Sequence, residues 1–404
     1  MCRLSVRSWA LAMSLASALT PMMAGDLEHI DFIGTLEIAG DAVDLSGDDK
    51  LLENGEPRNR LGGFSALDYS SDTQQLAAMS DRGPDDGAVG YPCRVQLFEI
   101  TVQPEHAQPV TARLKKSVLF TDTAGRPYTG SSAAIQCTSR VAHRLDPEGF
   151  RFGPGGLMFV SDEYGPEVIA FNPDGRAERR FVIPAHFHVA VADADKVKEN
   201  RANKSGRASN RGMECLALSQ DGDSLVGLMQ SPLIQDGERT SKDIIVGRNC
   251  RIVKIDLKTG ATQEFVYQMD GPENGNSEIV ACGPDEFLVL ERDSKAGTKA
   301  DYRRLIQIDL SQATDVSAMT QLPHGDLPKT IVPVQRLEFL DFLDPRWKLA
   351  GDRMPEKIEG LTFGPTLPDG RRTLLISTDN DFESGSPSFI WVFATSDYTA
   401  RGQD

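Results

Sequence analysis

Between Asp146 and Arg176 the chain reads DPEGFRFGPGGLMFVSDEYGPEVIAFNPDGR, and its apolar and polar positions divide it into three short strands. Glu148 to Phe152 alternates, as a strand with two unlike faces does. Gly153-Pro154-Gly155-Gly156 breaks the run, and Leu157 to Ser161 is almost continuously apolar. Glu167 to Phe171 is a third strand before the turn residues Asn172-Pro173-Asp174-Gly175. The same pattern returns at Ser65 (SALDYSSDTQQLAAMSDRG), Glu214 (ECLALSQDGDSLVGLMQSP), Glu278 (EIVACGPDEFLVLERDS) and Glu359 (EGLTFGPTLPDGRRTLLISTDND). Four of the five copies begin with Glu.

Each interval is long enough for four strands and their loops. Arg113 to Phe120, Arg179 to Ile183, Thr262 to Tyr267 and Val332 to Leu340 supply a variable fourth strand in four copies. The last copy ends at Phe393 with a short polar tail, so its fourth strand must come from elsewhere. His29 to Ile38, HIDFIGTLEI, has strand composition and precedes the first copy; pairing it with the last closes a ring without an exposed edge. The pattern therefore predicts an all-β fold, a β-propeller of five recognisable four-stranded blades closed by an N-terminal strand. It leaves open a sixth blade too divergent to recognise. His186 to Arg211 and Ser311 to Lys329 do not fit the blade period and read as insertions.

A chain of 404 residues exceeds one ordinary compact domain, but a closed array of repeats accommodates it as a single body. With 36 Gly and 23 Pro it is turn-rich and globular. A formal charge of −16 argues against binding nucleic acid or an anionic membrane, which needs a basic face. Arg3 and Arg7, the short apolar run Trp9 to Leu19 and the small residues up to Ala24 read as a secretory signal over residues 1–24. This leaves a mature propeller domain over 25–404, secreted or periplasmic, with no membrane span after cleavage. Five cysteines then remain, an odd number, with Cys93 and Cys137 the favoured pair and buried free thiols the alternative for Cys215 and Cys282.

Propellers bind ligands where their innermost strands converge. The Glu register lies on those strands, so Ser65, Glu148, Glu214, Glu278 and Glu359 are expected to ring the channel. The second strands end in Asp81 and Arg82, Asp162 and Glu163, Gln230, Glu291 and Arg292, and Asp379. Several carboxylates facing one channel must share protons, pair with arginine or hold a cation. Three readings follow: backbone bracing between blades, an arginine-lined polar pocket, or a metal site of Glu148, Glu214, Glu278 and Glu359. Calcium is the natural ion for hard oxygen ligands outside the cell. The catalytic candidates are Glu148, Asp162, Glu214, Glu278 and Glu359, with Arg82, Arg211 and Arg292 for substrate. No G-x-S-x-G, H-E-x-x-H or Walker motif is present, and the histidines do not cluster apart from His186 and His188.

The quoted repeats, together with NRGMECLALSQDGDSLVGLMQSPL, RIVKIDLKTG and KIEGLTFGPTLPDGRRTLLISTDNDF, resemble the phytase-like, "esterase-like activity of phytase" family of secreted proteins over roughly Leu61 to Phe393. The resemblance implies a propeller and a hydrolase of phosphate or carboxylic esters. The D-A-x-D-D-P-A signature of the alkaline β-propeller phytases is absent. A non-catalytic ligand- or partner-binding propeller and a lactonase-like, metal-dependent propeller are the alternatives.

Overall fold

A computed structural model of the chain describes residues 30–132 and 143–395. The expected signal over 1–24, the start of the mature domain and Cys137 lie outside the described residues. Twenty-two strands are formed among the described residues. β1 (Ile30–Ile38) opens the chain, and β2 (Phe64–Ser70), β3 (Gln75–Ser80), β4 (Arg94–Val102) and β5 (Val110–Leu119) make the first blade. β6 (Pro147–Phe152), β7 (Met158–Asp162), β8 (Glu167–Phe171) and β9 (Ala177–Val182) make the second. The third is β10 (Cys215–Leu218) and β11 (Ser224–Leu228) followed by β14 (Asn249–Asp256) and β15 (Thr262–Gln268). The small hairpin β12 (Glu238–Arg239) and β13 (Ile245–Val246) interrupts it. β16 (Gly275–Gly283), β17 (Glu286–Arg292), β18 (Arg303–Asp309) and β19 (Gln335–Asp341) form the fourth. β20 (Ile358–Thr366), β21 (Arg372–Thr378) and β22 (Ser388–Thr395) form the fifth together with β1.

The fold is thus a β-propeller of five antiparallel blades, with no sixth among the described residues. The inner strands β2, β6, β10, β16 and β20 each touch two others and close a ring. The nearly continuous apolar second strands are buried because blades cover both of their faces. Phe150 and Phe171 pack with Ala66 and Val95 between the first two blades, and Ile279 and Val289 with Cys215 and Ile252 between the third and fourth. The 186–211 insertion carries a two-turn helix, Lys196–Ala202, capped by Asp195. Val316, Leu322 and Ile331, from the connection between β18 and β19, pack on Val266. Cys93 is a buried thiol whose Sγ donates to the Leu145 carbonyl (3.3 Å), and its expected partner Cys137 lies outside the described residues; Cys215, Cys250 and Cys282 are free and buried. Among the described residues no helix is long and apolar enough to cross a membrane.

β1 pairs with β22 from Ile30 opposite Thr395 to Ile38 opposite Ser388, with one bulge near Ile33. Deleting Ile30–Ile38 bares the edge of β22 and uncovers Phe393 and Trp391, so the whole ring is expected to melt cooperatively at lower temperature, with a tendency to self-associate. Thermal denaturation and light scattering check this; a melting transition identical to that of the intact chain would mean that the ring closes without β1.

Candidate functional site

All five inner strands begin at the same end of the ring, and all five second strands finish there. The register slips by one residue at this point in four blades: between Phe64 and Ala66, Pro147 and Phe150, Asn276 and Glu278, and Ile358 and Leu361. Such a bulge kinks the strand and re-aims its side chains. Glycine follows Glu148 and Glu359 because the next blade comes too close for a side chain. A Cβ on Gly149 would lie 2.8 Å from the Leu216 nitrogen, and one on Gly360 2.8 Å from that of Leu67.

This geometry gathers carboxylates at the channel mouth. Asp81, Asp146 and Glu148 bring oxygens within 4.8 Å of one another, and so do Glu148, Glu163 and Glu214. All five are buried. Arg82 Nη1 donates to Asp146 Oδ2 (2.5 Å) and lies 3.8 Å from Glu163; its other amino group pairs with Asp86. Gln230 donates to Glu214 Oε1 (2.7 Å), and the Gly212 N–H donates to Glu163 Oε1 (2.6 Å). Glu148 differs from its neighbours. Only 6% exposed, it accepts no hydrogen bond and pairs with no cation among the described residues, and the charged groups acting on it are Glu214, Asp81, Asp146 and Glu163. Burial first, then those carboxylates, push its carboxyl well above the ordinary range. Burial does the same to Asp146, against Arg82, and to Glu214, with help from Glu163 and Glu359.

A second sector of the mouth is cationic. Arg292 donates to Glu359 Oε1 (2.7 Å) and to Ser277 Oγ (2.9 Å), and Lys357 binds Asp379 (2.8 Å) and Asp381 (2.5 Å). Burial, opposed by Lys357, holds the Glu359 carboxyl at about 7. Arg211 is half-buried near Glu214 and Glu163 and has no ion-pair partner among the described residues; burial, then the Arg292 guanidinium, lowers its pKa.

Glu278 does not join this group. The bulge places Ser277 at the mouth, while Glu278 Oε1 lies 3.2 Å from Arg151 and accepts the Leu216 N–H (3.1 Å) and its neighbour Ile279 N–H (2.9 Å). Arg151 is 3% exposed and plugs the channel about 10 Å below Glu148, three residues further along the strand. Its guanidinium donates to the carbonyls of Leu67 (2.8 Å), Phe150 (2.6 Å), Ile279 and Leu361 (3.4 Å), each from a different blade. Burial outweighs the Arg151 charge and lifts Glu278 to about 8. Asp68 seals the same level, accepting the Phe152 N–H (2.7 Å) and the Thr362 hydroxyl (3.1 Å).

Of the residues expected to line the site, Glu148, Glu214, Glu359, Arg82, Arg211 and Arg292 meet at the mouth. Asp162 sits at its edge but is occupied by the Asp146, Tyr164 and Gly165 N–H groups at 3.0–3.2 Å. Glu291 points elsewhere, toward Tyr267, Asn274 and Arg336. Asp146, Lys357 and Arg151 were not predicted as site residues. Asp146 was readable as an acid two positions before Glu148, and Arg151 as a charge inside a strand of otherwise apolar alternation. A hard cation fits the mouth chemically: among the described residues Asp146 Oδ1 is buried with no partner and Glu148 has no ion-pair partner, and the donors are carboxylate oxygens.

The family model described as Phytase-like, Esterase-like activity of phytase, matches residues 59–382. An uncharacterised secreted protein of Arthroderma benhamiae is 27% identical over 316 residues, 62% of this chain and 61% of its own length. The chain thus spans less than two thirds of that curated relative. Among solved structures, the periplasmic gluconolactonase of Pseudomonas aeruginosa is 10% identical with a TM-score of 0.36, over 87% of this chain and 93% of the other. The PQQ-bound aldose sugar dehydrogenase of Streptomyces coelicolor is 12% identical with a TM-score of 0.32, over 90% and 99%.

Proposed function

Since the chain belongs to the phytase-like (esterase-like activity of phytase) family, we propose that its channel mouth hydrolyses phosphate or carboxylic esters. The observation that carries this reading is Glu148, a buried carboxylate facing four others with no hydrogen-bond donor and no ion-pair partner among the described residues. Such a group retains a proton or holds a metal, and both are hydrolytic equipment. Glu148, with Glu163 and Glu214 on one side and Asp81 and Asp146 on the other, would hold Ca²⁺, which when bound supplies Lewis-acid polarisation of an ester oxygen. Glu359, with its Oε1 fixed by Arg292 and its carboxyl at about 7, is matched to moving a proton near neutral pH. Arg211, without a carboxylate of its own, orients the anionic part of the ester. Arg82 keeps Asp146 and Glu163 in place, and Gln230 keeps Glu214 in place. The secreted relative and the expected export signal support a location outside the cytoplasm.

Aryl phosphates and aryl carboxylic esters, each assayed with calcium and with chelator, test the proposal. Turnover of one class is expected, lost on chelation and lowered about 100-fold or more by Glu359→Gln. Absence of turnover for both classes with calcium present would overturn it and favour a ligand-binding propeller.

A further inference from the structure

The acidic mouth is built as two overlapping ligand groups. Asp81, Asp146 and Glu148 form one and Glu148, Glu163 and Glu214 the other, and only Glu148 belongs to both. We propose that the mouth binds two divalent cations, one in each group, with the Glu148 carboxylate bridging them. This rests on the reading of the mouth as a cation site and adds its nuclearity.

Oxygens bound to one calcium at 2.3–2.6 Å lie no more than about 5 Å apart. Each group meets that condition, its oxygens lying within 4.8 Å of one another, whereas the five residues together do not form one group within that distance. The hydrogen bonds divide the same way. Each flanking carboxylate has one oxygen pinned: Asp81 Oδ1 by the Arg82 N–H (2.5 Å), Asp146 Oδ2 by the Arg82 guanidinium (2.5 Å), Glu163 Oε1 by the Gly212 N–H (2.6 Å), and Glu214 Oε1 by Gln230 (2.7 Å). The second oxygen of each accepts no hydrogen bond among the described residues. That of Asp146, a residue with 0% exposure, is a buried atom without any partner. Glu148, only 6% exposed, has neither oxygen hydrogen-bonded among the described residues. A carboxylate with two oxygens and no donor suits a bridge, one oxygen to each ion.

The charge balance agrees. Ionised, the five carboxylates are faced by Arg82 and Arg211 and, at Glu214, by Arg292, but Arg82 also pairs with Asp86 and Arg292 with Glu359, so negative charge remains in excess that one dication does not cancel. Paired ions of this kind clamp both the attacking and the leaving oxygen in ester displacement.

The test is the calcium stoichiometry of the chelated and desalted full chain, by titration calorimetry and elemental analysis. Two ions per chain are expected. Asp146→Asn and Glu214→Gln should each retain one, and Glu148→Gln should weaken both at least tenfold; melting curves verify that the variants are folded. With Mn²⁺ in place of calcium, the doubly loaded native protein should give an exchange-coupled paramagnetic resonance spectrum. One ion in the native chain, or an uncoupled spectrum at two, overturns the bridged pair and leaves the single-cation reading standing; no ion at all overturns both.

Discussion

Arg151→Met is expected to destabilise the folded ring by about 3 kcal/mol or more, because it strands several buried backbone acceptors at about 1–3 kcal/mol each. The cause is geometric. One guanidinium serves carbonyls of four blades, Leu67, Phe150, Ile279 and Leu361, and its ion-pair partner Glu278 accepts an N–H from the remaining blade at Leu216. Methionine fills the volume but leaves those acceptors in a channel level where Glu278 is fully buried. Each orphaned acceptor adds about 1–3 kcal/mol if water cannot reach it. A domain with a typical margin of about 5–15 kcal/mol then melts far below the native temperature. Adding Glu278→Leu removes the stranded carboxyl, so the double variant should be less destabilised than the sum of the two single variants. Urea denaturation of all four proteins measures this coupling; an R151M chain as stable as the native one would show that the blades are held together elsewhere.

The second large effect is a loss of stability with rising pH. Glu278 is lifted from an ordinary 4.5 to about 8, by burial in excess of the Arg151 attraction. Its folded form therefore binds a proton more tightly than its unfolded form. Stability from this group is fully present below pH 4.5 and is lost as pH climbs to about 8, a change on the order of 4 kcal/mol. Glu359, at about 7, acts in the same direction. Calcium-free melts between pH 5 and 8.5 should fall steadily, and Glu278→Gln should flatten the slope. A native protein that gains stability over this range, or an E278Q variant with the native slope, would contradict the assignment.

The five blades were legible because each repeats one punctuation, an alternating strand, a turn and an apolar strand, and because the last copy lacked an outer strand that HIDFIGTLEI supplied. The site was legible only in part. Aligning the copies on Glu assigned Glu278 to the ring, whereas the bulged position that Glu148 and Glu359 hold in their blades is held here by Ser277, one residue before Glu278. In a strand a one-residue slip exchanges the faces, and residue identity does not record it. Asp162 occupied the expected end of its strand, yet its carboxylate is consumed by three backbone N–H groups of the surrounding turn. The role of Arg151 depends on carbonyls far apart in the chain, and no local pattern brings those together.

The seam between β1 and β22 also sets the order of assembly. Ile38 leaves the ribosome early, and its partner Ser388 emerges only after four complete blades have been made. At about 5–20 residues per second that wait lasts roughly 20–70 s. Throughout it the nascent chain carries an unmatched N-terminal ribbon, and no amount of local folding can finish the circle. Translation that stops anywhere before β22 yields an open arc, so premature termination near the end of the message is as damaging here as an early stop.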